Sequence, residues 1–204
     1  MAVCVLLGLA APIGADNRYT EIGRATRVLP RTDVTRGGFS GVLQENSGVA
    51  ENDRIQTRDS GRARVVLSDG SILNIGSSSS LVIKPATAGS RAGSLEIAYG
   101  MVRAQVVSAT GKPNFQLRTN TAVCGVLGTE VFLDVTPTSS HVVNLSDPKT
   151  GSKVRVASSD PRIKGEVVLG PGQGTIVEIG KPPIPPHEMG PAVTNQFVRD
   201  TDIP

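Results

Sequence analysis

Histidine and cysteine are the residues of this chain with the most versatile chemistry, and they are few. The 204 residues include two histidines, His141 and His187, and two cysteines, Cys4 and Cys124. The histidines are far apart in the sequence, and two isolated imidazoles do not provide the ligands of a zinc site. Cys124 lies in an apolar run without a neighbouring cation, so we expect a buried, unreactive thiol.

Three further motifs match reactive or ligand-binding sites only in part. Asp69 and Gly70 stand between two apolar runs, which predicts a type I′ hairpin turn with positive φ at both residues rather than a metal ligand. Thr129 has neither the base nor the free amine that a catalytic threonine needs. The glycine-rich segment 170–174 leads into a strand, whereas a phosphate-binding loop opens onto a helix. We therefore predict no enzymatic activity, no catalytic residue, no cofactor and no metal site.

The elements that position these residues are predicted to be short strands. Apolar side chains alternate at Ala63, Val65 and Leu67 and again from Thr129 to Val135, which is the period of a half-buried strand. The chain has no Trp, two Tyr and four Phe, but 23 Gly and 14 Pro, so aliphatic residues must form the core and turns are frequent.

Two local expectations complete this picture of the fold. Gly37, Gly38 and Gly41 indicate a flexible turn region, and no stretch combines a sustained helical period with a cap at its start. The expected fold class is all-β, either a twisted β-sandwich or a short β-solenoid-like arrangement of many short strands.

The two ends of the chain differ from its middle. Residues 1–15 are uncharged and mostly apolar, which predicts a signal peptide without the usual basic start; the alternative is a buried first strand or helix. The run is shorter than the roughly 20 apolar residues of a membrane-spanning helix, so we expect no integral membrane protein. Residues 16–180 are the predicted domain. Residues 181–204 are rich in proline and predict a flexible, extended tail, either a spacer or a partner-docking peptide.

The charge of the chain argues against a nucleic-acid partner. There are 21 basic and 18 acidic residues, a net charge of +3, and the small excess is spread along the sequence. Proteins that bind nucleic acids concentrate Lys and Arg on one face and add aromatic residues for stacking. We therefore expect a soluble surface without a nucleic-acid site.

The order of the motifs resembles the FecR domain family. Residues 48–57 and 61–71 are similar to its entry, in which xDxIxT leads into GxAxxxxxDGS. Later segments are similar to its LxxGxV, FxVxT…xxGTxF and GQxxxV patterns, so that the resemblance covers residues 21–179. The residues that carry it are Asp53, Ile55, Thr57, Gly61, Asp69, Gly70, Ser71, Gly100, Gly128, Thr129, Phe132, Gly172 and Gln173.

This resemblance implies regulation rather than catalysis. In the best-known members of the family, the domain is the periplasmic part of an iron-transport sensor that passes a signal from an outer-membrane receptor to a cytoplasmic sigma factor. Those members also have a cytoplasmic anti-sigma region and one membrane span, which we do not recognise in this sequence. We therefore expect a standalone FecR-type domain in the periplasm or secreted, which acts as a non-catalytic binding or signalling module.

The expected partner is a protein or an envelope polysaccharide. One alternative role is a periplasmic component of a sigma-factor or iron-transport regulatory system that acts through a separate membrane partner. A second alternative is an envelope glycan-binding domain, which the scarcity of aromatic residues disfavours because sugar faces usually stack on aromatic rings.

Overall fold

The computed structural model describes residues 19–84, 93–107 and 115–203. The predicted signal peptide, residues 1–15, lies outside the described residues. Most of the described part is β-structure, which confirms the all-β prediction.

The strands are short and follow one another closely. In chain order they are β1 Glu21–Val28, β2 Thr32–Arg36, β3 Phe39–Val42, β4 Gly48–Ala50, β5 Arg54–Thr57, β6 Ala63–Leu67, β7 Ile72–Ile75, β8 Ser80–Lys84, β9 Gly93–Gln105, β10 Phe115–Arg118, β11 Ala122–Val126, β12 Glu130–Val135, β13 Ser139–Asn144, β14 Val154–Ser158, β15 Glu166–Leu169, β16 Gln173–Glu178 and β17 His187–Glu188. A 3-10 turn spans Pro148–Thr150, and helix α1 spans Pro191–Thr201.

These strands form one sheet that is folded into two layers. The helix-side layer has the order β4-β1-β6-β7-β9-β12-β13-β16-β17. The open layer has the order β3-β2-β5-β8-β9-β10-β11-β14-β15. Neighbouring strands are antiparallel except β9 and β10, which are parallel. Because the chain crosses between the layers while it advances along both, the fold combines a sandwich with a solenoid-like progression.

Strand β9 belongs to both layers. Its residues before Gly100 pair with β8 and β10, and those from Gly100 onward pair with β7 and β12. Gly100 has a φ of 92°, and a Cβ at this position would lie 2.5 Å from Cα of Ser79. The bend that carries β9 from one layer to the other therefore requires glycine.

The hydrophobic core lies between the layers and consists mainly of aliphatic side chains. Inner-face residues of both layers bury together, for example Val65 and Leu133 of the helix-side layer with Leu95 and Leu117 of the open layer. Each such side chain contributes about 1.5–3 kcal/mol when it is fully buried. The alternation of apolar side chains in the sequence thus correctly predicts which residues lie on the inner faces of the layers.

The segment after Lys181 differs from the extended tail that the sequence predicts. Ile184 donates its backbone N–H to the carbonyl of Ile176, β17 pairs with β16, and α1 follows. The helix begins with Pro191, and proline at the first position is a recognised start signal, but Gly190 provides no side-chain cap. The expectation of no helix is therefore wrong. The domain boundary at residue 180 stays a prediction.

Helix α1 packs on the outer face of the helix-side layer. Phe197 stacks on Phe132 with ring centroids 4.3 Å apart. At the end of the helix, Arg103 donates to the Thr201 hydroxyl at 3.0 Å, and Arg64 forms an ion pair with Asp202 at 3.1 Å. Cations are favourable beside the negative end of a helix dipole. Within the part of the chain that the structure describes, no helix is long and apolar enough to cross a membrane.

Candidate protein-binding surface

The first residue of the predicted motif set forms a buried ion pair. The carboxylate of Asp53 is fully buried and accepts hydrogen bonds from Arg36 Nε at 2.8 Å and Nη2 at 2.7 Å. The backbone N–H of Ala50 donates a third bond at 2.8 Å. The hydrogen bond to Asp53 raises the pKa of the Arg36 guanidinium above its usual value. The charge of Asp53 is thus compensated within the protein, and it fastens β2 to the turn before β5.

The next three motif residues are also structural. Ile55 is buried in the core. The Thr57 hydroxyl donates to the carbonyl of Gly76 at 2.6 Å and accepts from the backbone N–H of Ser79 at 2.9 Å. Gly61 packs closely against the backbone of Arg31. These contacts hold the two layers together beside the bend in β9.

Asp69 and Gly70 form the hairpin between β6 and β7, as predicted, but the turn type differs. Gly70 has a φ of 84°, whereas Asp69 does not have positive φ. The connection is longer than the two-residue type I′ turn, and a three-residue loop needs only its glycine in the left-handed region. Asp69 Oδ1 accepts from the N–H of Ser71 at 2.9 Å, and the Ser71 hydroxyl accepts from the N–H of Val107 at 3.1 Å. Asp69 therefore stabilises a turn.

The remaining motif residues lie on and around strands β12 and β16. Gly128, with a φ of 58°, precedes Thr129, whose hydroxyl is buried without a hydrogen-bond partner among the described residues. Phe132 is fully buried under α1. Gly172 donates its N–H to the carbonyl of Asn144, and Gln173 Oε1 accepts from the N–H of Gly170 at 2.9 Å. The structure thus spreads the predicted motif residues over several turns and strands and does not bring them together into one site.

Cys124 matches the expectation of a buried thiol. It is fully buried on the inner face of β11, and burial raises the pKa of its thiol to about 12. A thiol is nucleophilic only as the thiolate, so Cys124 stays unreactive while the protein is folded.

The two histidines are not isolated in the structure. The ring centroids of His141 and His187 lie 6.3 Å apart with nearly parallel planes. The pairing of β17 with β16 brings His187 to this position, and that pairing lies in the segment read as a flexible tail. Residues 19–84, 93–107 and 115–203 contain no cluster of three or more His, Cys, Asp and Glu side chains that could hold a metal ion.

Among residues 19–84, 93–107 and 115–203, four strands end the two layers, and one edge of each has no neighbouring strand. In the helix-side layer these are β4 and β17, with three and two residues; such short edge strands discourage pairing with other chains. In the open layer they are β15 and β3. The edge of β15 carries Glu166, which pairs with Arg155 at 2.6 Å, whereas β3 contains no charged residue.

Strand β3 has the features of an edge that accepts another strand. Phe39 is 79% exposed and Val42 is 63% exposed. Leu43 donates its N–H to the carbonyl of Thr32 at 2.9 Å, so alternation along an antiparallel ladder directs the backbone groups of Ser40 and Val42 away from β2. These backbone groups lie along the free edge and the two apolar side chains are exposed beside it, without the Lys, Pro or bulge that usually protects an edge.

The hairpin that creates this edge was missed by the sequence analysis. Gly37 and Gly38 have φ values of 55° and 88° and form a two-residue turn between β2 and β3, whose residues Arg36 and Phe39 pair. The predicted turn is present at Gly37 and Gly38, whereas Gly41 lies within β3. A Gly-Gly pair between two strand-like runs is a hairpin signal, so the sequence contained the information.

The outer face of the open layer carries no covering segment among the described residues. A shallow cavity of about 320 Å³ lies on it, lined by Arg54, Val82, Ala98, Arg118 and Val123, among others. The side chains of Arg54 and Arg118 have no ion-pair or hydrogen-bond partner within the described ranges. This bare face adjoins the free edge of β3 through β2 and β5.

Comparisons with known proteins agree with the resemblance. Residues 53–147 match the model of the family described as FecR protein. Two crystal structures of a proposed anti-sigma factor from Parabacteroides distasonis are similar to this chain, each with a TM-score of 0.54 and 20% identity over 67% of this chain. The matched part covers 59% of that protein. At this identity the similarity shows the fold alone. No curated protein matches the sequence.

Proposed function

This chain carries a FecR domain, and on that basis we propose that it is a non-catalytic signalling module that binds an extended segment of a partner protein along β3. The partner in this proposal is a protein of a sigma-factor regulatory system. The FecR match at residues 53–147 supports a regulatory role, and similarity in fold to a proposed anti-sigma factor is consistent with it.

The free edge of β3 is the observation that carries this proposal. An extended peptide that adds to a sheet edge gains backbone hydrogen bonds, each contributing about 0.5–1.5 kcal/mol. Ser40 and Val42 supply the outward backbone groups. The side chains of Phe39 and Val42 lie on opposite faces of the strand because their positions differ by an odd number. A partner segment with apolar residues toward both faces therefore fits this edge.

The edge can be tested without disturbing the ladder inside the protein. Val42→Pro removes an outward N–H, while Gly41 and Leu43 keep the N–H groups that face β2. A photoreactive amino acid at position 39 should crosslink a sigma-factor regulator in living cells, and Val42→Pro should abolish the crosslink. The matched control is Val42→Thr, which keeps the N–H and should crosslink normally.

A photoreactive residue at a second position distinguishes docking at β3 from nonspecific crosslinking. Val168 on β15 is 44% exposed at the opposite edge of the open layer. Equal crosslinking from position 168, persistence of the crosslink in Val42→Pro, or recovery of further copies of this chain alone each overturns the proposal.

Export is part of the same proposal. The apolar, uncharged residues 1–15 support a signal peptide that directs the domain to the periplasm or the medium. A tagged protein expressed in its native host should be found in the envelope or secreted fraction with a reduced mass. A wholly cytosolic product of unprocessed mass contradicts export and leaves the docking test on β3 unaffected.

A further inference from the structure

Three side chains with donor atoms converge over Gly174 on the outer face of the helix-side layer. His141 Nε2 lies 3.3 Å, and Met189 Sδ lies 3.1 Å, from the position that a Cβ of Gly174 would occupy. His187 pairs with Gly174 in the ladder between β16 and β17, and its ring centroid is 6.3 Å from that of His141. A thioether and one imidazole nitrogen therefore lie over a place where the strand has no side chain, and the second imidazole lies beside the first.

The register of three strands produces this arrangement. Gly174 lies opposite Val143 of β13 and opposite His187 of β17. His141 precedes Val143 by two residues and therefore lies on the same face. Met189 follows His187 by two residues, and its backbone N–H donates to the carbonyl of Gly172 at 2.8 Å. His141 and Met189 thus approach the same space from two sides.

The nitrogen of His141 in this space lacks a partner. Nε2 is buried and makes no hydrogen bond to the described residues. Burial lowers the pKa of His141, and the neighbouring His187 lowers it further, against an opposing effect of Asp134. A neutral imidazole is the form that binds metal ions. Buried polar atoms are usually satisfied, so this unpaired nitrogen is available to a ligand.

We infer that this cluster binds one monovalent copper ion through His141 Nε2, a ring nitrogen of His187 and Met189 Sδ. A thioether is a soft ligand that selects Cu⁺, and imidazole also suits copper. Zinc instead prefers thiolate, imidazole and carboxylate ligands and usually takes four. The two imidazole rings are stacked with nearly parallel planes, so the exposed ring of His187 must rotate for one of its nitrogens to reach an ion bound to His141 Nε2.

The surroundings give the site one closed and one open side. Phe197 places its ring nearly perpendicular to that of His141, with centroids 5.7 Å apart, and Val143 lies against Gly174. His187 is exposed to solvent and provides the entry. A bound ion would join β13 to the segment that carries β17 and α1, and so would stabilise the docked position of the helix.

Nuclear magnetic resonance of the full chain tests the site directly. The chain has two histidines and three methionines, so their imidazole and methyl signals can be assigned individually. One equivalent of Cu⁺ without oxygen, or of Ag⁺ as a diamagnetic probe, should shift the signals of His141, His187 and Met189 together. The methyl signal of Met101 should stay in place.

Variants define the contribution of each donor. Met189→Leu and His187→Asn should each weaken Cu⁺ binding at least tenfold, about the loss seen when supporting groups of metal sites are removed. Gly174→Ala should weaken it similarly by placing a methyl group between the donors. The matched control is Gly125→Ala, since a Cβ there would meet only Arg155 at 4.0 Å.

The readout separates this site from other modes of metal capture. Binding that shifts no imidazole signal would be capture by Cys4 or another group, and it overturns the inference. Shifts of only one histidine, or unchanged affinity in Met189→Leu with its fold intact, also overturn it. Tighter binding of Zn²⁺ than of Cu⁺ rejects the assignment of the ion.

Discussion

The outer faces of the two layers differ in what lies against them. On the helix-side layer, α1 covers outward residues such as Phe132 and Arg103, so that Phe132 is fully buried and Arg103 nearly so. On the open layer, outward residues such as Val82 and Val123 remain partly exposed around a shallow cavity. Both layers share the same inward alternation.

This difference shows that strand alternation alone does not determine burial. Phe132 lies at an outward position between the inward residues Val131 and Leu133 in sequence, yet all three are fully buried. The C-terminal segment supplies the second neighbour for this face. The open layer has no such neighbour among the described residues, and its outward residues include Ala98 and Gly125, with small or absent side chains.

The largest change in the free energy of unfolding is expected when the contact between α1 and the helix-side layer is weakened. Phe197→Ala removes the ring that stacks on Phe132, and should lower the free energy of unfolding by about 2–3 kcal/mol. Urea denaturation measures the change. Val193→Ala in the same helix, where Val193 is 39% exposed, should cost less than about 0.5 kcal/mol; equal losses in both variants would contradict the role of the stack.

Two ion pairs, one under α1 and one on the open layer, allow the two outer faces to be compared directly. Arg103 contacts Glu130 at 2.8 Å with 9% and 25% of the side chains exposed, whereas Arg155 contacts Glu166 at 2.6 Å with 65% and 50% exposed. Arg103→Met should cost about 1–2 kcal/mol because it leaves Glu130 partly buried without its partner. Arg155→Met should cost at most about 0.5 kcal/mol. Similar stability losses in Arg103→Met and Arg155→Met would contradict the idea that burial under α1 strengthens the ion pair.

The buried Cys124 thiol, which lies in the core between the two layers, should make the stability of the protein depend on pH. Because burial raises the pKa of Cys124 to about 12, the unfolded chain loses this proton first as pH rises above about 8.5–9. The contribution of the protonated Cys124 thiol to the free energy of unfolding is therefore complete below that pH and is lost between about pH 9 and pH 12. Relative to Cys124→Ala, the protein should lose about 1.4–1.9 kcal/mol between pH 8 and pH 10, measured by denaturation; parallel curves would contradict burial of the thiol.

The smallest change in the free energy of unfolding is expected for substitutions on the outer face of the open layer. Val82→Thr should change the free energy of unfolding by less than about 0.5 kcal/mol, because the added hydroxyl can reach water. The same change at Val143, which is fully buried under the C-terminal segment, should cost about 1–3 kcal/mol. If both substitutions are tolerated equally, the two faces are equally hydrated in solution.

The sequence predicted the elements whose signals are local. The hairpin at Asp69 and Gly70, the inward residues of β12 and the buried Cys124 follow from alternation, turn chemistry and apolar surroundings. The type I′ turn was wrong because the length of a loop depends on where the strands stop pairing. The hairpin at Gly37 and Gly38 was readable, but the glycines were interpreted as flexibility.

What could not be predicted depends on contacts between distant segments. Helix α1 has a local start signal in Pro191, but it lacks a side-chain cap, and arginines from two other strands hold its end. His141 and His187 meet only because the two-residue strand β17 pairs with β16. The free edge of β3 likewise depends on which strands lie beside it, which the sequence does not state.

The shared strand β9 has a consequence for how the protein tolerates change. A one-residue insertion in a strand turns every following side chain to the other face. Because β9 pairs in the open layer before Gly100 and in the helix-side layer after it, such an insertion would also move the only residue that fits the bend. Both layers would lose their alignment at once. We therefore expect the two layers to unfold as a single cooperative unit, with β9 as the segment least permissive to insertion or deletion.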